Sequence, residues 1–197
     1  TLNRVNHLFG DKNLVIIGLT PRDGDPFSVT FLEKAGAITR LISELPGADS
    51  TLLRSLASAS TTLVRRGPGQ LIVEPTLPEH LTSTAADELR DHALSHPIFR
   101  GTLVSYDGTT LGLYFTVNLT PALPGYVNVH RAILDILQRE DDGTFSYLLS
   151  GPVVIASQLN TQASTSTSYL LLSLLVIGLI HYHAFRSWQA VVLPIAT

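Results

Sequence analysis

The stretch of sequence that decides the fold reads SYLLLSLLVIGLIHYHAF over residues 168–185 and contains no Lys, Arg, Asp or Glu. A helix that crosses a lipid bilayer needs roughly 17–25 mostly apolar residues, and this run has that length. Tyr169 and Tyr182 lie near its two ends, where aromatic side chains contact the membrane interface. The sequence therefore predicts a transmembrane helix over 168–186. The alternative is a buried helix of a soluble protein, because Leu170–Ile180 alone would fit a core helix.

The flanks of this run predict its orientation. Arg186 follows the run directly, whereas residues 156–168 contain no Lys or Arg. Because the cytoplasmic flanks of membrane helices carry an excess of basic residues, we expect Arg186 inside the cell and residues 1–167 outside it. A second apolar stretch, Trp188–Ala196, is expected to begin another membrane helix, so that 187–197 would hold a cytoplasmic turn and the start of that helix.

The charges of the chain are concentrated before the apolar run. All 16 acidic residues and 12 of the 13 basic ones lie within 1–142, which therefore carries a net charge of −4. Nucleic-acid-binding proteins present a basic patch, so this balance argues against a nucleic-acid partner. Cysteine is absent, which excludes disulfides, Cys-ligated metals and thiol nucleophiles. Methionine is also absent, even at position 1, and we expect the chain to be a piece of a longer protein.

Residues 1–156 alternate between strand and helix patterns. Short apolar runs and two-residue alternation predict strands, whereas apolar residues three and four apart predict helices. The predicted strands are Asn13–Leu19, Ser50–Leu56, Gln70–Glu74, Gly101–Tyr106, Thr110–Leu119 and Tyr147–Ala156. The predicted helices are 26–45 with Asp25 as N-cap, 84–95 with a capping box from Thr84 to Asp87, and 125–140. Ala57–Gly69 is rich in Ser, Thr and Gly and is predicted to be a loop.

The resulting order, β-α-β-β-α-β-β-α-β followed by a membrane helix, predicts an α+β fold. Helices separated by paired strands are typical of split-βαβ, ferredoxin-like bodies, in which helices cover a face of the sheet. We expect 1–156 to form this extracytoplasmic body, 157–167 to form a polar connector without charges, and 168–186 to form the membrane helix.

One candidate metal site is visible in the sequence. Glu88, His92 and His96 recur every four residues and could lie on one helical stripe. Zinc accepts His and carboxylate ligands, but residues eight apart lie about 12 Å apart along a helix, so at most two of these could share an ion. Polar residues at this spacing are also typical of a solvated helix face, and the sequence favours that interpretation.

Other polar groups also have simple interpretations. His181 and His183 are expected to anchor the membrane helix at the interface, with a proton-pathway role as the alternative. Asp141-Asp142 favours a solvated turn over a catalytic carboxylate pair. The glycosylation sequon Asn118-Leu-Thr120 adjoins a proline and is interpreted as chance. We find no G-x-S-x-G, P-loop or G-x-G-x-x-G motif, so we assign no catalytic, cofactor-binding or metal-binding residue and expect no enzyme.

Two phrases in the tail resemble a known family. Phe185-Arg186-Ser187 and the following Ala190-Val-Val-Leu-Pro194 are similar to the link between the second and third membrane helices of the resistance–nodulation–division (RND) superfamily, in its mycobacterial-membrane-protein-large (MMPL) type of predicted exporters. Further phrases resemble recurring points of that family's first extracytoplasmic domain: Phe9-Gly10, Leu45-Pro46-Gly47, Arg54-Ser55-Leu56, Leu103-Val104-Ser105 with Asp107-Gly108, and Gly151-Pro152.

The resemblance implies the porter-like domain and second transmembrane helix of a secondary transporter in the bacterial inner membrane. Such a transporter would use the proton gradient to export lipids or other hydrophobic molecules. Its partners would be the remainder of the same chain, the bilayer and the substrate. The family's proton relay uses acidic residues in later membrane helices, so no relay residue is assigned here. The alternative is a membrane-tethered extracytoplasmic binding or sensing domain. A soluble enzyme is a third hypothesis, which the missing motifs and the uncharged tail disfavour.

Overall fold

The computed structural model describes residues 13–58, 61–67, 70–75, 81–118 and 125–185. At 63–67, 70–75, 164–168, 171, 181 and 184–185 it describes the backbone but not the side chains. The described residues form five strands: β1 Leu14–Pro21, β2 Thr62–Gly67, β3 Gln70–Pro75, β4 Leu111–Thr116 and β5 Phe145–Ser150. They also form four helices: α1 Val29–Ser43, α2 Ser83–Ser95, α3 Tyr126–Glu140 and α4 Pro152–Phe185. The fold is therefore α+β, as the sequence predicts.

The chain divides into two compact units, Thr1–Ser157 and Gln158–Thr197. In the first unit, called the body below, β1 is the central strand of a three-stranded sheet with the order β4-β1-β5. Both neighbours are antiparallel to β1, and Ile17 lies opposite Leu113 on one side and Leu149 on the other. Consequently β4 and β5 run parallel to each other on either side of β1, and the chain between them contains α3. Strands β2 and β3 form a separate two-stranded antiparallel pair.

The described residues of the body form a hydrophobic core to which β1, β4, β5 and the helices α1, α2 and α3 contribute. Alternate residues of the strands are buried, since side chains of a strand point to opposite faces of a sheet. The buried apolar strand residues are Val15, Ile17 and Leu19 in β1, Leu111, Leu113 and Phe115 in β4, and Phe145 in β5. The buried apolar helix residues are Phe31, Leu32, Ala35, Ile38 and Ile42 in α1, Ala86, Leu89 and Ala93 in α2, and Val129, Ile133 and Leu137 in α3. The half-buried strand predicted after Asp107-Gly108 is confirmed over β4.

Two helix starts differ from the sequence prediction. The N-cap of α1 is Ser28, whose Oγ accepts from the Phe31 amide at 3.4 Å, and not Asp25. Asp25 instead accepts from the Phe27 amide at 3.0 Å and so forms a turn before the helix. Likewise Thr82, not a box starting at Thr84, caps α2. In both places several residues could supply a capping oxygen, and local sequence does not rank them.

Three predicted strand or loop segments are also wrong. Ser50–Leu56 forms turns with only an isolated bridge between Arg54 and Tyr114, and Gly101–Tyr106 forms turns with a bridge from Val104 to Leu111. Side-chain oxygens of Ser, Thr and Asp bind nearby amides in both segments, and these bonds compete with a strand ladder. In contrast, β2 lies inside the predicted loop 57–69.

The chain turns directly from β5 into α4 at Gly151. The predicted strand Tyr147–Ala156 ends at Ser150 because Gly151 has a φ of +111°, and an added Cβ would lie 2.4 Å from the Leu14 carbonyl oxygen. Only glycine adopts this conformation so close to another backbone. The predicted polar connector 157–167 is helical, since its uncharged residues include no Gly or Pro to interrupt α4. Residues 168–185 are helical as predicted.

Candidate functional site

The most prominent surface feature is an uncovered apolar stretch of α4, which we call the apolar segment (Tyr169–Tyr182). Its described large apolar side chains are each between 41% and 69% exposed. These are Tyr169, Leu170, Leu172, Leu174, Leu175, Val176, Ile177, Leu179, Ile180 and Tyr182. Because they follow one another with few gaps, they cover every face of a helix with 3.6 residues per turn. Helices that are apolar all round are normally buried in a large core or a membrane.

The hydroxyl of Ser173 in this segment is satisfied within the helix. Ser173 Oγ donates to the Leu170 carbonyl oxygen at 2.8 Å, so the hydroxyl has a partner without water. A helix also satisfies its own backbone amides and carbonyls, which is the requirement for a peptide segment in an apolar medium. The helical backbone and Ser173 therefore meet the hydrogen-bonding condition for burial in lipid or protein.

Among the residues that the structure describes, no helix is both long and apolar enough to cross a membrane. His183 is exposed on the last turn of α4, and the side chain of His181 lies outside the description. Arg186 and Trp188–Ala196, on which the predicted orientation and second helix rest, also lie outside the described residues.

A second candidate site is a cleft of about 260 Å³ in the body. It is lined by Pro21, Asp23, Ser28, Thr30, Phe31, Lys34, Asp142 and Thr144. Lys34 forms an ion pair with Asp142, and its Nζ lies 5.4 Å from the centroid of the Phe145 ring. The hydrogen bond from Lys34, followed by those from Thr144, holds the pKa of Asp142 far below its usual value. The cleft is therefore bordered by a carboxylate that stays ionised and is already neutralised by Lys34.

The turn interpretation of Asp141-Asp142 is confirmed by its hydrogen bonds. Asp141 Oδ1 accepts from the Gly143 amide at 2.9 Å, and Asp142 Oδ1 accepts from the Thr144 amide at 3.1 Å. Each carboxylate thus closes a turn two residues on, which is the usual local role of Asp in such a sequence. The ion pair with Lys34 then joins this turn to α1.

The candidate set Glu88, His92 and His96 is brought together only in part. The rings of His92 and His96 lie 5.3 Å apart between centroids, and Phe99 contacts both at 5.6 and 5.0 Å. Across the described ranges, no group of three or more His, Cys, Asp or Glu residues could hold a metal ion. Glu88 is exposed, as the solvated-face interpretation predicts, whereas the two histidines are only partly exposed and pack against Phe99.

Two polar contacts could not be found from the sequence. His130 Nδ1 and Ser157 Oγ lie 2.9 Å apart, which joins α3 to the first turns of α4. Ser157 is only 2% exposed, and burial lowers the pKa of His130. Arg90 of α2 pairs with Asp25 and lies 5.4 Å from the centroid of the Phe27 ring. These partners are far apart in sequence and carry no spacing pattern, so only the fold brings them together.

The comparison with known proteins adds no assignment to this geometry. No family model matches the chain, and the comparison with curated proteins found no match.

Proposed function

We propose that the chain is a segment of a proton-driven secondary transporter of the RND superfamily, of the MMPL type. In this proposal the apolar segment of α4 lies in the bacterial inner membrane as part of a transmembrane helix at 168–186. Residues 1–156 form an extracytoplasmic domain that borders the path of a lipid or another hydrophobic substrate. The observation that carries the proposal is the apolar segment, whose described large apolar side chains are each at least 41% exposed.

The energetic argument concerns the medium that these side chains need. Moving one Leu or Ile side chain out of water is favourable by about 1.5–3 kcal/mol. A soluble protein rarely exposes contiguous apolar surface of this kind unless another molecule covers it. A bilayer covers all faces of one helix at once, whereas a protein partner normally covers a stripe. The uncharged run from Ser168 to Phe185 and its two terminal tyrosines also fit a bilayer with two interfaces.

The topology of the body supports the finer fold assignment. Strands β4 and β5 are parallel, are separated by the antiparallel β1, and are linked through α3. Two parallel strands with a third between them and a helical connection constitute a split βαβ unit. This topology supports our proposal that the body belongs to the ferredoxin-like, porter-type class expected from the resemblance.

The proposed mechanism assigns coupling and chemistry to different parts of the transporter. The apolar segment contains no Asp or Glu, so the proton relay would lie on other membrane helices of the protein. Secondary transporters move a substrate by rocking one helical bundle against another around a fixed site. A body attached to one of those helices would open and close the extracytoplasmic part of the substrate path during this motion.

Reconstitution of the complete transporter tests the proposal. Inside-out vesicles that contain it are loaded with the lipophilic dye Nile red, and a proton gradient is then imposed. We expect movement of the dye that requires the gradient and stops when a protonophore is added. The same result is expected with a fluorescent phospholipid if lipids are the substrate class. Equal dye movement in vesicles without the protein, or no effect of the gradient on either probe, would contradict proton-driven export.

The second candidate function is a membrane-tethered extracytoplasmic binding or sensing domain. The observation that favours it is the cleft beside Lys34, whose volume of about 260 Å³ suits a small molecule. This function predicts that Nile red or the fluorescent phospholipid binds saturably to the body in the same vesicles. No dye movement is then expected under any gradient. Binding that is lost in a Phe31→Ala variant, together with absent transport, would favour this candidate over the exporter.

A further inference from the structure

We propose that His92 and His96 form a binding site for one divalent first-row transition metal ion at the C-terminal end of α2. His92 lies in the last turn of the helix, and His96 is its C-cap. Their ring centroids are 5.3 Å apart with an angle of 32° between the ring planes. This inference concerns the body alone and does not depend on the proposed transport function.

The separation of the rings matches a shared ion. Imidazole nitrogens bind zinc at about 2.0–2.1 Å, which places a ring centre about 3.2 Å from the ion. Two rings in a tetrahedral arrangement then have centres about 5 Å apart. The observed separation of 5.3 Å between the ring centroids is close to this value.

The charges around the pair favour a cation. The C-terminal end of a helix carries a partial negative charge from its last carbonyl groups. Asp87 and Asp91 of α2 add negative charge, and the charge of Arg90 is paired with that of Asp25. A dication at His92 and His96 would therefore lie in a field of the favourable sign.

The ring of Phe99 packs against both imidazole rings. It contacts His92 edge-on and His96 at a tilt, so both imidazoles are held on one side by an apolar surface. His96 Nδ1 accepts a hydrogen bond from the Ile98 amide at 3.3 Å, which is long and exposed. Binding of the metal at Nε2 moves the ring proton to Nδ1, and the Ile98 amide then turns to water. The Ile98 amide thus reports directly on the site.

The ligand count defines the kind of site. Within the described ranges no third His, Cys, Asp or Glu completes the set, so water or an external ligand would fill the other positions. Imidazole ligands suit Zn²⁺, Ni²⁺ and Cu²⁺, with Cu²⁺ bound most tightly at a given site. Two protein ligands give an exchangeable ion with open coordination positions, in contrast to a closed structural zinc site.

The test uses the full chain in a mild non-ionic detergent, titrated with ZnCl₂ and followed by calorimetry. We expect the His92→Gln and His96→Gln variants each to weaken one binding event at least about tenfold. His130→Gln is the matched control, because His130 is bound to Ser157 on other helices, and its binding of zinc should be unchanged. Binding should also weaken as the pH falls, since protons compete with the metal for the imidazole nitrogens.

A second measurement on the unsubstituted chain guards against misfolded variants. Cu²⁺ is paramagnetic and broadens NMR signals of nearby amides. We expect the Ile98 amide signal to disappear at substoichiometric Cu²⁺, before the signals of β1. Unchanged zinc binding in the folded double variant, or a Cu²⁺ titration that leaves Ile98 unaffected, would overturn the proposal.

Discussion

The body and the apolar segment contain the same kinds of large aliphatic residues, but these are buried in the body and exposed in the apolar segment. Leu113 in β4 is 2% exposed, whereas Leu175 in α4 is 63% exposed. In α3 the buried residues Val129, Ile133 and Leu137 recur every four positions and form one stripe. In the apolar segment the large apolar residues follow one another around the helix and are exposed. A stripe needs one covering surface, whereas an apolar helix without a polar face needs an apolar medium.

The largest contrast is expected when the same truncation is made in both regions. Leu113→Ala leaves a cavity in the core and should lower the free energy of unfolding of the body by about 2–5 kcal/mol. Leu175→Ala should leave the stability of the body unchanged, because Leu175 belongs to the other unit. Hydrogen exchange of the β1 amides in detergent measures both. Equal losses from the two variants would contradict the division into a self-sufficient body and a separate apolar segment.

A charge in the apolar segment tests its medium. Leu175→Lys should disfavour insertion by about 2.5–3.5 kcal/mol if the residue lies near the bilayer centre. The control is Leu148→Lys, since Leu148 is 72% exposed on the sheet of the body. We expect alkaline carbonate to extract the first variant from membranes and to leave the control in the pellet. Identical extraction of the two would show that position 175 does not lie in lipid.

The turn at Gly151 links the last strand of the body, β5, to the helix α4 that contains the apolar segment. Gly151→Ala forces a Cβ against the Leu14 carbonyl at positive φ and should cost about 1–3 kcal/mol of body stability. Gly125→Ala is the matched control, because φ there is −69° and no atom lies within 4 Å of the added Cβ. It should cost no more than about 0.5 kcal/mol through a weaker N-cap. Thermal unfolding of both variants decides the comparison.

The smallest effect concerns pH and is confined to the body. Burial lowers the pKa of His130 below 6.5, so folding favours its neutral form. Stability from this group is therefore complete above about pH 6.5 and declines as the pH falls through the lowered pKa. His130→Gln should flatten the dependence of the unfolding free energy on pH below about pH 6.5. His183→Gln, exposed on α4, should leave that dependence as it is.

Much of the fold follows from local pattern. The apolar stripes of α1 and α3 and the alternation of β4 are strong periodic signals, and the structure contains all three elements. Errors occur where short-range chemistry leaves several choices open. Asp25 and Ser28 are equally good caps by type, and the predicted strand at 147–156 contains a glycine whose positive φ depends on the neighbouring Leu14 carbonyl.

The candidate sites are harder to predict from the sequence than the fold is. The apolar segment is visible in the sequence because it depends on composition alone. The pairing of His92 with His96 follows from helical spacing, but the role of Phe99 depends on the turn after α2. The contacts of Lys34 with Asp142 and of His130 with Ser157 join elements that are distant in the chain. No local pattern specifies such contacts, because they arise only when the core has formed.

The most direct test of the account is the medium around Leu175. The chain contains no cysteine, so Leu175→Cys gives a single site for a nitroxide spin label, with Leu148→Cys as the label on the body. Collision with oxygen and with a polar nickel chelate is measured in lipid vesicles. The account predicts that label 175 collides readily with oxygen and little with nickel, and that label 148 does the reverse. A label at 175 that is as accessible to nickel as the label at 148 would contradict it.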